Sequence, residues 1–434
     1  MRAFFGLLAL LLPLPALWAQ SGGAEIRVNG ARLWQNLQAL AQIGRTPSGG
    51  ISRVAYTDAD RAGRAFVMDL MRRAGMSVRV DAAGNIVGRY PGRDPARRPI
   101  ALGSHIDSVP EGGAFDGTVG VMAAIEVVHT LSERGIQLEH PLEVWVFSNE
   151  EGGLIGSRAL IGALGPEVLA ERSQSGLSIA EGIRAIGGDP DRLQEARRQP
   201  GEFAAYLELH IEQGGVLERE GIPIGIVEGI VGIRWWDVEV EGSANHAGTT
   251  PMADRRDALL AAAEFVTTVY RLMLHTPGRQ VGTVGRLQVE PGARNVIPGR
   301  VRMSLEIRDL SMARIDSLFA VLEGEAERIG AQTGTRFHFR PVAATSVAAL
   351  TDLRVRERIR QAAEELRLPY RFMPSGAGHD AQNMARLTPM GMIFIPSVGG
   401  ISHAPQEYSR PEDVARGAEV LLRTVLLLDR NPVR

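Results

Sequence analysis

Cysteine is absent from all 434 residues, which excludes thiol nucleophiles, disulfides and thiolate metal ligands together. Lysine is absent as well, every basic residue being arginine. Neither a Schiff-base lysine nor the lysine of a phosphate loop is therefore available. A charge excess is also lacking. The formal net charge is −2, and it leaves no global field to draw nucleic acid or an anionic membrane. The apolar run at the N-terminus, Ala3 to Leu12, falls short of the roughly 20 residues that span a bilayer. No internal repeat interrupts the chain.

What is present is the composition of a folded globular protein, 44% hydrophobic and 23% charged. The length allows two domains, or one large domain with an inserted module. The N-terminus has the form of an export signal. Arg2 is its positive start, Ala3 to Leu12 its apolar stretch, Pro13 and Pro15 break it, and Leu17-Trp18-Ala19 offers a small-residue cleavage site. The expectation is a mature chain starting near Gln20, exported to the periplasm or the medium, with no membrane attachment after signal removal; the alternative is an N-terminal segment retained as a membrane anchor.

Leu142 to Phe147 is an apolar run followed at once by Ser148, Asn149 and the paired carboxylates Glu150 and Glu151. In open α/β sheets ligands collect beyond the carboxyl ends of strands. Neighbouring side chains on an extended chain point apart, which suits two adjacent glutamates to different tasks, one holding a metal and the other moving a proton. Alone, the pair reads more simply as a solvated acidic turn, so its meaning depends on its company. The predicted strand Ile100 to Gly103 runs into His105 and Asp107, which alternate by two and share a face. With His105 on a metal, Asp107 can accept from the other ring nitrogen or anchor the segment from behind. A glycine-rich loop then carries Asp116, whose carboxylate can bridge two cations. The predicted strand Phe203 to Leu209 ends in His210, and the predicted strand Met392 to Ile395 is followed by a loop holding His403.

Helical spacing marks Ala31 to Ile43, Asp58 to Ala74, Val119 to Leu131, Val355 to Leu366 and Pro411 to Leu428. This α/β pattern is interrupted near Val231. Strands are predicted at Ile233 to Val240, Val281 to Leu287 and Val301 to Ile307, with helices at Asp254 to Met273 and Ile315 to Ile329. Such an order suits a small α+β module with helices on one face of an antiparallel sheet. The expected organisation is a signal at 1–19, a catalytic domain in two parts at 20–230 and 344–434, and an inserted domain at 231–343. The fold class is α/β, a central mixed sheet flanked by helices.

His105, Asp116, Glu151, His210 and His403 then share one edge of one sheet. Three imidazoles and two carboxylates without sulfur suit zinc, manganese, cobalt or nickel. If Asp116 bridges, each of two metals has three protein ligands and room for a shared water. His129, His140, His275 and His338 lie away from these motifs and read as structural or solvent-exposed.

The run Gly103-Ser104-His105-Ile106-Asp107-Ser108-Val109, with Gly113-Ala114-Phe115-Asp116-Gly117, resembles the first metal motif of the M20 metallopeptidase superfamily. Asn149-Glu150-Glu151-Gly152, His210-Ile211-Glu212-Gln213-Gly214, Ser375-Gly376-Ala377-Gly378-His379-Asp380-Ala381 and Ser402-His403 resemble its amidase branch: N-carbamoyl-L-amino-acid hydrolases, β-ureidopropionases and allantoate amidohydrolases. The likeness runs from roughly Ala31 to the C-terminus. It implies two divalent ions per subunit, with His105 and His403 on opposite ions, Asp116 between them, and Glu151 and His210 completing the sets. Glu150 is implied as general base and then proton donor, with Asp107 in the catalytic set. The inserted domain is implied to be a lid and dimerisation module, hence a homodimer. Within it His246 and Asn295 would polarise the scissile carbonyl and bind substrate, the histidine coming in this family from the partner subunit. Arg308 would grip a substrate carboxylate, Gln213, Ala377 and Gly378 would line the pocket, and His379 and Asp380 would stand behind the ligands.

The implied reaction cleaves the ureido C–N bond of a small carboxylate-bearing substrate, releasing ammonia and carbon dioxide with the amino acid. A ureido carbonyl is a poor electrophile because two nitrogens donate into it. Its hydrolysis needs both a water with its pKa lowered to about 7 and a polarised carbonyl. The alternatives are an N-acyl amino-acid deacylase or peptidase on the same scaffold, and, in another class, a non-catalytic exported binding protein. Against the last stand the complete ligand set and Glu150. The better-known members of the branch are cytoplasmic, from which the export signal departs.

Overall fold

The computed structural model describes residues 26–343 and 346–432; the expected export signal, 1–19, lies outside the described residues. Before the insertion the strands are β1 (Ser77–Val80), β2 (Ile86–Tyr90), β3 (Ile100–His105), β4 (Leu142–Phe147), β5 (Ala205–Ile211) and β6 (Ile224–Ile230). The insertion holds β7 (Gly232–Glu241), β8 (Asn245–His246), β9 (Val281–Thr283), β10 (Leu287–Glu290), β11 (Val296–Ile297), β12 (Arg300–Asp309) and β13 (Arg336–Pro341). After it, β14 (Ala349–Leu350), β15 (Tyr370–Ser375) and β16 (Met390–Ile395) return to the first sheet. That sheet runs β1-β2-β4-β3-β5-β16-β6-β14, with β15 also on β6.

All residues of β4 are buried, as expected of a strand covered on both faces. Leu142, Val144 and Val146 pack with the helices Gly30–Leu40, Thr118–Glu133 and Pro411–Arg430. Trp145 and Phe147 face the other way, into Phe203, Tyr206, Met384, Met392 and Phe394. β4, β3, β5 and β16 are parallel to their neighbours, whereas β2 and β6 join them antiparallel. The sheet is therefore mixed and flanked by helices, as the apolar runs predict. Its parallel centre brings four carboxyl ends to one edge.

The insertion builds a second, antiparallel sheet, β10-β12-β7-β13 with β9 on β12. Trp236, Val238 and Val240 alternate inward from β7, and Val301, Met303, Leu305 and Ile307 from β12. They meet the helices Ala258–His275 and Met312–Thr333 through Phe265, Leu318 and Leu322. Two local expectations change. The first of these helices starts at Ala258 rather than Asp254, because the Asp257 carboxylate accepts the N–H groups of Leu259 and Leu260 and caps it. The segment expected as one strand, Val281 to Leu287, is divided. Thr283 lies opposite Glu306 and Leu287 opposite Met303, so two short strands pair separate stretches of β12. β13 is an edge strand that turns only Phe337 and Phe339 toward the core, too weak an alternation to read in advance.

Candidate active site

His105 ends β3 and His210 is the penultimate residue of β5, so parallel strands deliver both imidazoles to one edge. His105 Nδ1 lies 3.0 Å from the carbonyl oxygen of Asp107, and His210 Nδ1 lies 2.9 Å from that of Ile211. A carbonyl only accepts, so both Nδ1 atoms carry the proton and both Nε2 lone pairs face inward. There they meet Asp116 Oδ1, at 3.5 Å from His105 and 3.1 Å from His210. His403 Nε2 approaches Asp116 Oδ2 at 3.2 Å and Glu151 Oε2 at 3.5 Å. Asp116 thus gives one oxygen to each of two groups, His105–Asp116–His210 and Asp116–Glu151–His403, each with its donor atoms within 4.8 Å of one another. The structure brings all five expected ligands together.

Lone pairs facing carboxylate oxygens at these distances repel unless a proton or a cation lies between them. The three-imidazole, two-carboxylate donor set fits a divalent ion in each group. The charges around it agree. Burial opposes charge on His105, but Glu150, Asp116 and Asp107 outweigh it and hold its pKa well above the ordinary imidazole value. Asp116 is buried too, yet the three imidazoles hold it well below the usual carboxylate range. Burial raises Glu151 to about 7, helped by the charge of Asp116.

Glu150 is buried, with Oε2 3.7 Å from His105 Nε2. Burial pushes its carboxyl well above the ordinary value; His105 opposes this, and Asp380 and Glu151 reinforce it. What separates Glu150 from Glu151 is Asp107. Its Oδ1 accepts the Glu150 N–H at 3.2 Å and its Oδ2 the Glu151 N–H at 3.1 Å. Its carboxylate is 3.8 Å from His105 Nδ1, which the backbone carbonyl of the same residue takes instead. Asp107 thus meets the paired glutamates through their backbone amides. It clamps the turn that aims the two glutamates.

Three residues of the site, Asn149 (φ 49°), Gln213 (φ 58°) and His403 (φ 54°), adopt the left-handed conformation without being glycine, strain of a kind that concentrates at functional sites. Gly117 (φ 63°) does need to be glycine, because a Cβ there would stand 2.3 Å from the His105 ring.

Glu407 is a residue that sequence reasoning missed. Its Oε1 accepts the N–H groups of Phe115 (2.9 Å) and Asp116 (3.0 Å), and its Oε2 accepts Ser402 Oγ (2.7 Å) and the His403 N–H (3.2 Å). One buried carboxylate ties the Asp116 loop to the His403 loop. The only advance signal was an acid four positions after a ligand. Glu208 was missed as well. It accepts from Ser104 Oγ (3.0 Å), Tyr206 OH (2.8 Å) and the Ala381 N–H (3.2 Å). Its proximity to His210 and His379 therefore reads as support, its oxygens being already engaged.

His379 and Asp380 stand behind the ligands as expected. The His379 ring meets His210 edge-on at 4.4 Å and its Nε2 lies 2.8 Å from Ser375 Oγ, while Asp380 accepts from Ser157 Oγ at 2.5 Å. Gln213 Nε2 donates to Asp116 Oδ2 at 2.6 Å. Gln213, Arg308 and Ala377 line one cavity of about 530 Å3, whereas Gly378 lies outside its lining. Arg308 donates through Nε and Nη2 to Glu306 (2.7 and 3.0 Å) and through Nη1 to the Gly376 carbonyl (2.7 Å).

His246 ends β8, Asn295 immediately precedes its partner strand β11, and both residues are exposed. Among the described residues no hydrogen bond or ion pair links them to the five ligands. His246 Nδ1 accepts the N–H groups of Gly248 (3.0 Å) and Thr249 (3.1 Å), which leaves its proton on Nε2, facing out as a donor. Of the remaining histidines, His129 meets Glu133, His140 the Arg98 carbonyl and His338 Glu241, all structural contacts.

A profile of peptidase family M20/M25/M40 matches residues 101–427. The chain belongs to that family. Its relatives place it in the amidase branch. It is 44% identical over 403 residues to an N-carbamoyl-L-amino acid amidohydrolase of Geobacillus stearothermophilus, covering 92% of this chain and 98% of the relative. It is 38% identical over 420 residues to a ureidoglycolate hydrolase of Arabidopsis thaliana, covering 93% and 88%. Among solved structures, a hydantoinase/carbamoylase family amidase from Burkholderia multivorans superposes with a TM-score of 0.87 at 39% identity, over 94% of this chain and all of the other.

Proposed function

We propose that this M20 family member is a dinuclear-metal amidohydrolase that cleaves the ureido C–N bond of an N-carbamoyl amino acid or a related ureido carboxylate. The observation that carries the reading is Glu150, a buried carboxyl of raised pKa beside two ligand groups that share Asp116. His105, Asp116 and His210 would hold one divalent ion, and Asp116, Glu151 and His403 the other, zinc or else manganese, cobalt or nickel. Bound there, the ions would supply Lewis acidity that lowers the pKa of a water and polarises the carbonyl. Glu150 takes the proton of the attacking water and returns it to the departing nitrogen, work for which a carboxyl of raised pKa is suited. His246 offers Nε2–H to the carbonyl oxygen, with Asn295 beside it. Both stand apart from the ligands in the single chain, so closure of the insertion, or the insertion of a second copy, must bring them in. We therefore propose a homodimer through residues 231–343, with the catalytic domain formed by 20–230 and 344–434. The relatives support the substrate class, because N-carbamoyl amino acids and ureidoglycolate both carry a ureido group next to a carboxylate.

The test is ammonia release from N-carbamoyl-L-amino acids, allantoate and ureidoglycolate, run beside N-acetyl amino acids and dipeptides, before and after chelation and metal restoration. Metal-restored hydrolysis of the ureido compounds is expected; cleavage of the acetyl compounds or dipeptides alone would overturn the reading. Export and removal of the leader 1–19 remain part of the proposal, and native protein that retains Met1 would remove them.

A further inference from the structure

The cavity beside the ligand cluster carries more positive charge than one substrate carboxylate needs. It lies between the insertion and the central part, with Gln213, 2.6 Å from Asp116, marking its inner end. Arg279 and Arg308 line it from the insertion, and Arg371 lines it from β15. Its one acidic residue, Glu212, has both carboxylate oxygens taken by the N–H groups of Val216 and Leu217, at 2.8 Å each. The carboxylates that partner the arginines stand outside the lining. Arg279 reaches Glu228 and Arg371 reaches Glu220, each through Nη1 alone. Among the described residues no protein acceptor reaches Nε or Nη2 of either. Between these charges the wall is apolar, formed by Val216, Met373 and Pro374.

We propose that Arg371 and Arg279 form a second anion subsite and that the preferred substrate is a ureido dicarboxylate, the N-carbamoyl derivative of an acidic amino acid. The proposal rests on the ureido-acid reading above. Arg308 takes the carboxylate next to the scissile bond, the apolar wall packs the side-chain methylenes, and the outer arginines take the side-chain carboxylate. An apolar side chain in the same place would strip water from two guanidinium groups and return nothing. A carboxylate replaces that water with charge-assisted hydrogen bonds, for which the planar fork is suited.

The test compares N-carbamoyl-L-glutamate with N-carbamoyl-L-methionine, close in length and different in charge, on the metal-restored full chain. The glutamate compound should have the higher kcat/KM by about tenfold or more, mainly through KM. Arg371→Met should remove most of that ratio, and Arg279→Ala, at an exposed position, should lower it in the same direction. A preference for the methionine compound, or a ratio that neither variant changes, overturns the subsite. If no ureido compound is hydrolysed, the reaction reading fails, and calorimetry of glutarate and butyrate binding to the same protein decides the subsite separately. Tighter glutarate binding lost in Arg371→Met upholds it; equal binding overturns it.

Discussion

Glu407→Gln isolates how the two ligand loops are held. The wild-type carboxylate satisfies four donors: two backbone N–H groups of the Asp116 loop through Oε1, and Ser402 Oγ with the His403 N–H through Oε2. In glutamine the amide oxygen can keep the first pair. The amide nitrogen then faces the second, where the Ser402 hydroxyl can turn to accept but the His403 N–H cannot. One part-buried donor is left unpaired, a cost of about 1 kcal/mol, and it falls on a ligand already strained at φ 54°. The loss should therefore be one-sided. The group Asp116–Glu151–His403 should lose about 10–100-fold in metal affinity, the usual effect of removing support behind a ligand, while His105–Asp116–His210 keeps its ion. The assay is bound metal per chain against graded chelator, with circular dichroism to confirm the fold. Release of one ion well before the other is expected. Two ions retained with the wild-type chelator profile would refute the argument, and so would equal loss of both.

Glu150→Gln should keep the metal content of the wild type, because Glu150 belongs to neither ligand group. Its turnover should fall by about 100- to 10,000-fold, the usual share of a general acid–base; turnover within tenfold of wild type would remove Glu150 from the proton path. Asp60 predicts a pH dependence of stability. Burial pushes its carboxyl up from 3.8 to about 6 against the pull of Arg64, so the native state binds this proton more tightly than the unfolded one. The stabilisation is complete below the ordinary value and is lost as pH rises through about 6. Relative to Asp60→Asn, the wild type should lose about 2 kcal/mol between pH 4 and pH 8 in denaturant titrations, and a difference independent of pH would contradict the assignment.

The amino-acid sequence by itself determined which residue types stand at strand ends and what chemistry they exclude or allow. β3, β4, β5 and β16 are covered on both faces, so they read as mainly apolar runs, and the polar residues after them are legible as a site. The absence of cysteine and lysine left imidazole and carboxylate as the site's candidate metal ligands and arginine as its fixed positive charge. Only the tertiary structure decided which atom does what. It gave Asp116 Oδ1 to His105 and His210 and Oδ2 to His403, and it turned the Asp107 carboxylate toward two backbone amides rather than an imidazole ring. It brought Glu407 to a loop 291 positions away and gathered Arg279, Arg308 and Arg371 around one cavity. The physical reason is the reach of each signal. Side-chain alternation reports which face of a strand is buried, but the order of strands in the sheet sets which loops become neighbours, and that order is a property of the packed whole.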